Sequence, residues 1–325
     1  MLSTVNSGVA PALTVVIVTY NSAACLGPTL EALVAQDHPS FEAILLDNAS
    51  RDASLAIARQ FEPRGLRVIA GASNRGYAGG NNDAVAAGRG RIVVLLNPDA
   101  VLETPGALRA IESAFDRQPG LGVLGAKLLA PGGQTILHMG GTVGVPAHCS
   151  IFGRGESDAD GHWNAPLDVE FVIGACLAIR RETWDRLEGF DEFFNPAYYE
   201  DTDLCARARR LGLRVVCDPS VRAIHHENVS TPYKSPEFFW MHHKGRLWHE
   251  AKNLPLATLL GVALPREIAW FCSIGAKYHR RMLLGLYAMI ARRWVKRRML
   301  RLAPLHQGAP PPLPLQASRE HSQGR

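Results

Sequence analysis

The stretch Arg91-Ile-Val-Val-Leu-Leu-Asn97-Pro98-Asp99-Ala100 joins an apolar run to a polar turn. A continuous run of β-branched and leucine residues is typical of a strand that is covered on both faces. Pro98 has no backbone N–H to donate to a ladder, so the strand must end there. The Asn97 amide and the Asp99 carboxylate therefore lie at the carboxyl end of a buried strand, which is the edge where open α/β sheets bind ligands.

The first hundred residues alternate strand and helix patterns, which predicts a doubly wound, mostly parallel α/β sheet. Apolar runs predict strands at 13–19, 41–47, 66–70 and 91–96. Between them we expect a helix over 24–36, a second over 50–61 capped by Ser50, a loop over 71–82 leading into a helix that ends at 87, and a helix capped by Thr104.

The pattern loosens after Gln118. Strands are predicted at 121–129, 171–180, 213–217 and 219–226, a helix at 200–211, and long loops over 131–165. The predicted organisation is a flexible N-terminus (1–12), one large domain (13–230), a helical basic extension (231–302) and a disordered Pro-rich tail (303–325).

Composition describes a globular protein, with 325 residues, 47% hydrophobic and 20% charged. The net charge of +5 is concentrated in residues 277–301, which contain nine Lys or Arg and no Asp or Glu. This points to an anionic surface and not to nucleic acid. Scattered cysteines without metal or disulfide spacing, and no recognisable signal peptide or membrane span, predict a cytoplasmic protein, peripheral on the inner face of the plasma membrane.

The basic segment also carries apolar residues at helical spacing, namely Leu283, Leu286, Tyr287, Ile290 and Trp294. Such a helix suits the surface of an anionic membrane. A helix packed in the protein with a solvated basic face, or an oligomer contact, would show the same pattern.

Polar residues also end the first two strands. Asp47 and Asn48 follow the second strand, and Asp47 is suited to accept a hydrogen bond from the imide N–H of uracil or thymine. A simple helix-capping turn with Ser50 is a compatible reading. Thr19-Tyr20-Asn21 ends the first strand and offers a backbone or stacking contact to a base.

The segment 74–82 is rich in Gly and Asn. Its glycines allow the backbone to approach a ligand, and Arg75 offers a fixed charge for phosphate. It contains no established nucleotide-binding glycine pattern, so a flexible surface loop is the competing interpretation.

Two further clusters carry chemistry. Glu200, Asp201 and Asp203 open a helix, where the helix dipole explains acidic residues in general and Asp203 in particular. The adjacent Glu200 and Asp201 are candidates for a general base. His225 and His226 follow a strand, and either imidazole could join Asp99 on a metal ion, although an exposed histidine is the commoner case.

Taken in order, these segments resemble the inverting family 2 glycosyltransferases of the GT-A fold, and among them bacterial rhamnosyltransferases. The resemblance extends from Leu13 to Ser230 and rests on the segments 15–21, 47–50, 74–82, 95–99, 174–177, 189–194 and 200–204.

The resemblance implies a role for each matching residue. Asp201 is the expected base, with Glu200 as the alternative. Asp99 is the principal ligand of Mg²⁺ or Mn²⁺, because Asn97 replaces the first acid of the family's Asp-x-Asp motif, and His225 or His226 joins it. The expected donor-binding residues are Thr19, Tyr20, Asn21, Asp47, Asn48, Arg75, Gly76, Asn81 and Asn97.

The expected reaction is transfer of a sugar, by preference L-rhamnose from dTDP-L-rhamnose, to a saccharide or lipid-linked acceptor in cell-surface polysaccharide synthesis. A different sugar (galactofuranose, GlcNAc or glucose) from a UDP or GDP donor, or a non-catalytic nucleotide-sugar-binding scaffold, are the alternatives. A sugar-phosphate nucleotidyltransferase is disfavoured, because 19–22 lacks the glycine-rich basic loop of that class.

Overall fold

The computed structural model describes residues 10–227, 234–273 and 279–302, with side chains up to residue 297. Its strands are β1 (Leu13–Thr19), β2 (Phe41–Asp47), β3 (Leu66–Ala70), β4 (Ile92–Leu96), β5 (Ala100–Leu102), β6 (Leu121–Leu129), β7 (Ile136–His138), β8 (Gly141–Val143), β9 (Cys149–Ile151), β10 (Leu167–Asp168), β11 (Cys176–Arg180) and β12 (Arg214–His225). Its α-helices are α1 (Leu26–Val34), α2 (Ser54–Arg59), α3 (Gly76–Ala86), α4 (Ala107–Arg117), α5 (Arg181–Arg186), α6 (Glu200–Arg210), α7 (Pro236–Asn253), α8 (Leu256–Thr258), α9 (Leu264–Cys272) and α10 (Arg280–Leu302). The predictions for residues 1–9, for Ser230 and Thr231, for Lys277 and for the tail from Ala303 lie outside the described residues.

The main sheet runs in the order β10-β12-β6-β11-β4-β1-β2-β3, with β5 and β7 on its margins. The strands β1 to β4 are mutually parallel, as predicted. β11 lies antiparallel between β4 and β6, so the sheet is more mixed than the sequence indicated. The α/β class is confirmed.

Helices cover both faces of the sheet, which explains the unbroken apolar strands. Val15 and Ile17 of β1 face one core with α1, α2 and α4. Val16 and Val18 face a second core with α3 and α6. Successive side chains of a strand alternate between faces, so every position of β1 must be buried.

Three local predictions were wrong because side chains and backbone are used in tertiary contacts. Ser50 does not cap a helix: α2 begins at Ser54, and Ser50 Oγ accepts a hydrogen bond from the backbone N–H of Asn21 (3.0 Å). Thr104 does not cap α4, which begins at Ala107 after Gly106 without a side-chain cap. The segment 76–82, predicted as loop, is the start of α3.

The glycines of α3 explain why it is a helix in spite of its composition. A Cβ on Gly80 would lie 2.7 Å from Val18 Cγ1, closer than packed atoms allow. The glycine therefore lets α3 lie directly against β1. The helix is stabilised by this packing and not by intrinsic helix propensity.

The strand β12 is a single long element where two were predicted, with a register shift between Asp218 and Arg222. The short strand β5, which was not predicted, pairs antiparallel with its end, with Ala100 opposite His225. Pairing this short is decided by the partner strand and carries little sequence pattern of its own.

The C-terminal helices pack on the sheet domain. Trp248 of α7 and Leu286 and Ile290 of α10 form a third core with Phe194 and Tyr199. In the apolar stripe predicted for α10, Leu283, Leu286 and Ile290 are buried in the protein, whereas Tyr287 and Trp294 are half-buried. The three buried residues fit the alternative of a packed helix, and membrane association of this segment stays a prediction. The domain boundaries themselves stay predictions. None of the described helices has the length and hydropathy required to cross a bilayer.

Candidate active site

The carboxyl ends of β1, β2 and β4 lie side by side at one edge of the sheet. Thr19 is opposite Asp47 in the β1–β2 register, and the backbone N–H of Asn48 donates to Thr19 O (2.8 Å). Asn97 follows β4 directly, and its N–H donates to Ala175 O (2.9 Å). The structure therefore brings together the strand-end residues that the sequence placed at this edge.

Asp47 presents a buried acceptor at this edge. Its Oδ2 accepts the backbone N–H of Ser50 (3.0 Å), while its Oδ1 is buried and has no hydrogen-bond partner among the described residues. Thr19 Oγ1 is likewise buried and has no hydrogen-bond partner among the described residues. Because buried polar atoms in folded proteins are nearly always hydrogen-bonded, these two oxygens fit a ligand that supplies the missing donor.

The loop after β1 begins with an exposed aromatic residue, Tyr20. Asn21 has a positive φ of 52°, and its Oδ1 accepts the backbone N–H of Arg51 (2.8 Å). The Asn21 side chain therefore stabilises the loop through this hydrogen bond. Tyr20 is 38% exposed, so its ring is accessible for stacking.

Asn48 and Gly76 join the end of β2 to the start of α3. Asn48 Nδ2 donates to Gly76 O (2.9 Å), and Asn48 Oδ1 accepts the N–H of Arg75 (3.0 Å). Gly76 has a φ of 68°, and a Cβ there would lie 2.6 Å from Asn195 Oδ1. Both hydrogen bonds of the Asn48 side chain go to the protein backbone, and they hold the start of α3 against the end of β2.

Arg75 and Asn81 also have internal contacts. The Arg75 guanidinium pairs with Asp83 (2.5 Å) and with Glu192 (2.8 Å), which link α3 to the segment before α6. The charge of Arg75 is therefore compensated by two carboxylates of the protein, whereas the sequence suggested a phosphate as its partner. Asn81 is buried, and its Nδ2 donates to Tyr77 O within α3 (2.9 Å).

The metal-binding prediction rests on Asp99 and a histidine, and the structure distinguishes the two histidines. His225 Nε2 lies 3.3 Å from Asp99 Oδ1, because the β5–β12 pairing places the two side by side. The side chain of His226 is exposed, and only its backbone N–H contacts Asp99, at the carbonyl oxygen (3.0 Å).

These groups fit a divalent cation that is completed by other oxygens. Asn97 Oδ1 and His225 Nδ1 are buried without hydrogen-bond partners in the described chain. The described residues contain no group of three His, Cys, Asp or Glu that could hold a metal by themselves. Mg²⁺ commonly binds through one or two carboxylates plus phosphate oxygens and water, so a site with Asp99 and His225 is compatible with it only when a phosphate is present.

Glu200 and Asp201 open α6 in different environments. Asp201 Oδ2 accepts the N–H of Gly174 (2.9 Å), and its Oδ1 accepts the N–H of Thr202 (2.6 Å). Glu200 Oε2 is buried with no partner among the described residues.

Their pKa values are displaced by these environments. Burial raises the pKa of Asp201, although the hydrogen bonds from Gly174 and Thr202 oppose the shift. Burial, and next the charge of Asp201, hold the pKa of Glu200 well above its usual range. Of the two side chains, Asp201 is the one with hydrogen-bond donors on both carboxylate oxygens, and these favour the ionised form that a base requires.

Tyr77 is a residue that sequence reasoning missed. Its hydroxyl donates to Gly174 O (2.9 Å), beside the N–H that binds Asp201. Burial raises the pKa of this phenol well above its usual value, and the charges of Glu200, Asp201 and Asp99 add to the effect. The phenol therefore lies among all three acidic groups. The aromatic residue inside the glycine-rich segment was the available signal.

The turn that leads into α6 is strained. Tyr198 and Tyr199 both have positive φ values, 79° and 74°, which side-chain-bearing residues rarely adopt. The Tyr199 hydroxyl donates to Ala147 O (2.8 Å), and its ring is buried. A Cβ on Gly245 of α7 would lie 2.6 Å from Tyr198 O, so α7 lies directly against this turn.

Ion pairs hold α6 and α7 together behind the turn. Lys252 of α7 contacts Asp203 (2.8 Å) and Asp191 (2.9 Å), and Asp203 also pairs with Arg207 (2.7 Å). Burial alone would raise the pKa of Asp191, but the charge and hydrogen bond of Lys252, with the hydrogen bonds from Phe193 N–H and Trp248, together lower it to about 2. The C-terminal segment thus helps to hold the helix that carries Glu200 and Asp201.

Comparison with known proteins identifies the family. A family model described as "Glycosyltransferase like family 2" matches residues 11–244. The chain belongs to this family. The resemblance to family 2 that the sequence indicated is therefore confirmed.

The chain is similar in sequence to several other bacterial proteins. It is 34% identical over 242 residues to an uncharacterised protein, y4gI, of Sinorhizobium fredii, covering 70% of this chain and 26% of that protein. It is 33% identical over 208 residues to the O-antigen biosynthesis protein RfbC of Myxococcus xanthus, covering 62% of this chain and 16% of that protein. It is 29% identical over 253 residues to N-acetylglucosaminyl-diphospho-decaprenol L-rhamnosyltransferase of Mycobacterium tuberculosis, covering 71% and 81%. The chain thus spans only a small part of the first two relatives.

Solved structures share the fold. TarS residues 1–349 of S. aureus in complex with UDP-GlcNAc matches with a TM-score of 0.59 and 20% identity, covering 86% of this chain and 80% of that one. A mannosyltransferase of Pyrobaculum calidifontis in complex with GDP-Man and Mn²⁺ matches with a TM-score of 0.53 and 17% identity, covering 91% and 82%. The GT-A fold of the family 2 glycosyltransferase is thereby confirmed.

Proposed function

We propose that the chain transfers L-rhamnose from dTDP-L-rhamnose, with inversion, to a saccharide or lipid-linked acceptor of a cell-surface polysaccharide. The observation that carries the reaction is the link through Gly174 and Ala175: the Gly174 N–H binds Asp201 Oδ2 (2.9 Å), and the Ala175 carbonyl accepts the N–H of Asn97 (2.9 Å), two residues before Asp99. This supports a base and a metal ligand acting in one site. Support for the sugar comes from the relative named as an L-rhamnosyltransferase and from an O-antigen chain rhamnosyltransferase of Salmonella anatum, 25% identical over 236 residues.

The base-binding proposal rests on Asp47. Its unpartnered Oδ1 fits the imide N–H of thymine or uracil, and the exposed Tyr20 ring lies on the neighbouring strand end. Cytosine has no N–H at that ring position, so the same oxygen would face a lone pair. We therefore expect thymidine and uridine diphosphates to bind better than the cytidine compound.

The mechanism is a single displacement. Asp201 accepts the proton of an acceptor hydroxyl while that oxygen forms a bond to the anomeric carbon. The bond from this carbon to the diphosphate oxygen breaks, and the configuration inverts. Asp99 and His225 would hold Mg²⁺ or Mn²⁺, which neutralises charge on the departing diphosphate when bound. Burial, and next the charge of Asp201, raise the pKa of Glu200 well above its usual range, so its surroundings favour the neutral form over the charged one.

Calorimetry tests the donor. The full chain is titrated with dTDP, UDP, CDP and GDP in the presence of Mg²⁺, and then with dTDP-L-rhamnose and UDP-GlcNAc. We expect dTDP and UDP to bind at least about tenfold more tightly than CDP, which corresponds to one lost hydrogen bond in a buried site. Release of dTDP from dTDP-L-rhamnose, and not from the other sugar nucleotides, would support the rhamnosyl donor. If CDP binds as tightly as dTDP and UDP, Asp47 does not contact the base. If UDP-GlcNAc alone is turned over, UDP-GlcNAc and not dTDP-L-rhamnose is the donor.

A further inference from the structure

A stripe of exposed apolar side chains runs along the helix formed by α8, α9 and the π-helical segment Leu259–Ala263 between them. Its members are Leu256, Leu260, Leu264 and Ile268, which are 41%, 54%, 46% and 55% exposed. Single exposed leucines are normal on a protein surface. Four at regular spacing along one helix are a feature that needs a partner.

The π-helical segment brings these residues into line. In a regular α-helix, positions four apart drift around the axis, because one turn takes about 3.6 residues. The wider turn of a π segment reduces that drift between Leu256 and Leu264. Ala263 and Glu267, each one residue before a member of the stripe, are buried, so the side of the helix next to the stripe faces the protein.

The outward face of α10 adds a second set of residues. Leu284 and Val295 are 58% and 50% exposed. Arg281, Arg292 and Lys296 are exposed on the same helix and have no hydrogen bond or ion pair to the described residues. This face is opposite the buried stripe of Leu283, Leu286 and Ile290, so it is a different surface from the one the sequence suggested.

The two helices are neighbours in the fold. The Tyr287 hydroxyl of α10 donates to Glu267 Oε1 of α9 (2.6 Å), and the rings of Phe271 and Tyr287 lie 5.8 Å apart. Arg280 donates to the carbonyl oxygens of Phe271 and Cys272. The exposed apolar stripe and the exposed basic residues are therefore carried by two helices that are in contact.

The charge of this region is of one sign. Glu267 is the sole acidic residue of the sequence from 254 to 302, and it is buried in a pair with Arg246 (2.7 Å). A second copy of this chain docked on the same surface would bring like charges together. An anionic lipid bilayer offers phosphates to the basic residues and an apolar interior to the leucines, so it is the partner that matches both.

We propose that this surface, formed by Leu256, Leu260, Leu264, Ile268, Leu284, Val295, Arg281, Arg292 and Lys296, docks on an anionic lipid bilayer. The proposal does not depend on the donor or acceptor assigned above. It requires both parts of the surface: the basic residues attract the chain to the headgroups, and the leucines enter the interface.

Vesicle flotation of the full chain, without donor or acceptor, tests the proposal. Vesicles of phosphatidylcholine alone are compared with vesicles that contain about 30% phosphatidylglycerol at low salt. We expect binding to the anionic vesicles and little binding to the neutral ones. Two triple variants are compared with the unchanged chain: one is Leu260→Ser, Leu264→Ser and Ile268→Ser, and the other is Arg281→Gln, Arg292→Gln and Lys296→Gln.

Each triple variant should reduce partitioning by at least about tenfold, because each removes one of the two attractive contributions. The matched control, Arg59→Gln with Arg89→Gln and Arg186→Gln, removes the same charge from exposed positions on the sheet domain and should retain at least half of the binding. Far-ultraviolet circular dichroism and the melting temperature show whether each variant is folded.

The proposal is overturned if the unchanged chain does not bind anionic vesicles, if the control triple loses as much binding as the test variants, or if either test variant is folded and binds fully. Sedimentation equilibrium covers the remaining possibility. If the unchanged chain is a dimer that the leucine triple dissociates, the surface is a contact between copies. All of these readouts are independent of sugar transfer, so a failure here leaves the proposed reaction untouched.

Discussion

Replacing Gly245 by alanine should disturb catalysis from a helix that the sequence assigned to an extension outside the catalytic domain. The new Cβ would lie 2.6 Å from Tyr198 O and 3.0 Å from Tyr199 Cδ2. Ordinary contact begins at 3.4 Å, so the turn or α7 must retreat by about 0.8 Å. That turn carries two residues with positive φ and leads directly into Glu200 and Asp201.

The magnitude follows from two opposing effects. Gly→Ala in a helix adds up to about 1 kcal/mol of stability. Overpacking costs about 1–3 kcal/mol, and here it presses on backbone that is already strained. We expect Gly245→Ala to lose about 1–2 kcal/mol of unfolding free energy. A displacement of Asp201 by nearly 1 Å should lower kcat by about 10²-fold.

The assay compares Gly245→Ala with Gly285→Ala, a glycine of α10 where an added Cβ meets nothing within 4 Å. Urea unfolding and steady-state transfer are measured for both. The control should be as stable as the unchanged chain or more so, with unchanged kcat. In Gly245→Ala we expect a low kcat with an unchanged KM for the donor, because Asp47 lies on another element. If Gly245→Ala keeps full stability and full kcat, the close packing of α7 against the Tyr198–Tyr199 turn does not position Asp201.

The remaining predictions concern the site itself. Asp47→Asn should weaken dTDP binding by about tenfold in calorimetry, because an amide N–H₂ replaces the acceptor that faces the imide; unchanged affinity would exclude contact with the base. Asp99→Asn should raise the Mg²⁺ concentration for half-maximal transfer by at least about tenfold, since the carboxylate is the one anionic ligand in the site; an unchanged metal titration would remove Asp99 as a ligand. For the pH dependence, the pKa of Asp201 is raised, so the base is lost as pH falls through a value above the usual carboxyl range. The acid limb of kcat should therefore fall about tenfold per pH unit from above pH ~4, and a flat profile down to that pH would contradict the assignment.

Elements with a strong local pattern were predictable. The run at 13–19 is a strand because every residue is apolar or small, and a strand buried on both faces needs that composition. The Asn97–Asp99 turn was predictable because Pro98 cannot continue a ladder. Since parallel strands end at one edge, the placement of Asp47 and Asn97 at the same edge of the sheet followed from the order of elements.

Features that depend on partners distant in sequence were not predictable. The glycines of 76–82 indicate a loop by propensity, and only contact of Gly80 with Val18 makes a helix the better solution. β5 is three residues long and exists because β12 lies beside it. The choice of His225 over His226 depends on that pairing.

The burial of the C-terminal helices also depends on partners that are distant in sequence. Leu283, Leu286 and Ile290 form a helical stripe that is equally suited to lipid and to a protein core. Which of the two it contacts is decided by the apolar faces of Trp248 and Phe194, and no local pattern reports those. Tyr77 was missed for the same reason, because its position among the acidic groups depends on Gly174, almost a hundred residues away.

Single-turnover transfer by Asp201→Asn, measured beside Glu200→Gln and with dTDP affinity for both, tests the central claim most directly. The proposed mechanism predicts a loss of at least about 10³-fold in the transfer rate for Asp201→Asn with dTDP affinity within about twofold of normal. Glu200→Gln, which keeps the size of a side chain whose raised pKa favours the neutral form, should keep the rate within about tenfold. Normal transfer by Asp201→Asn, or a large loss confined to Glu200→Gln, would contradict the assignment of Asp201 as the base.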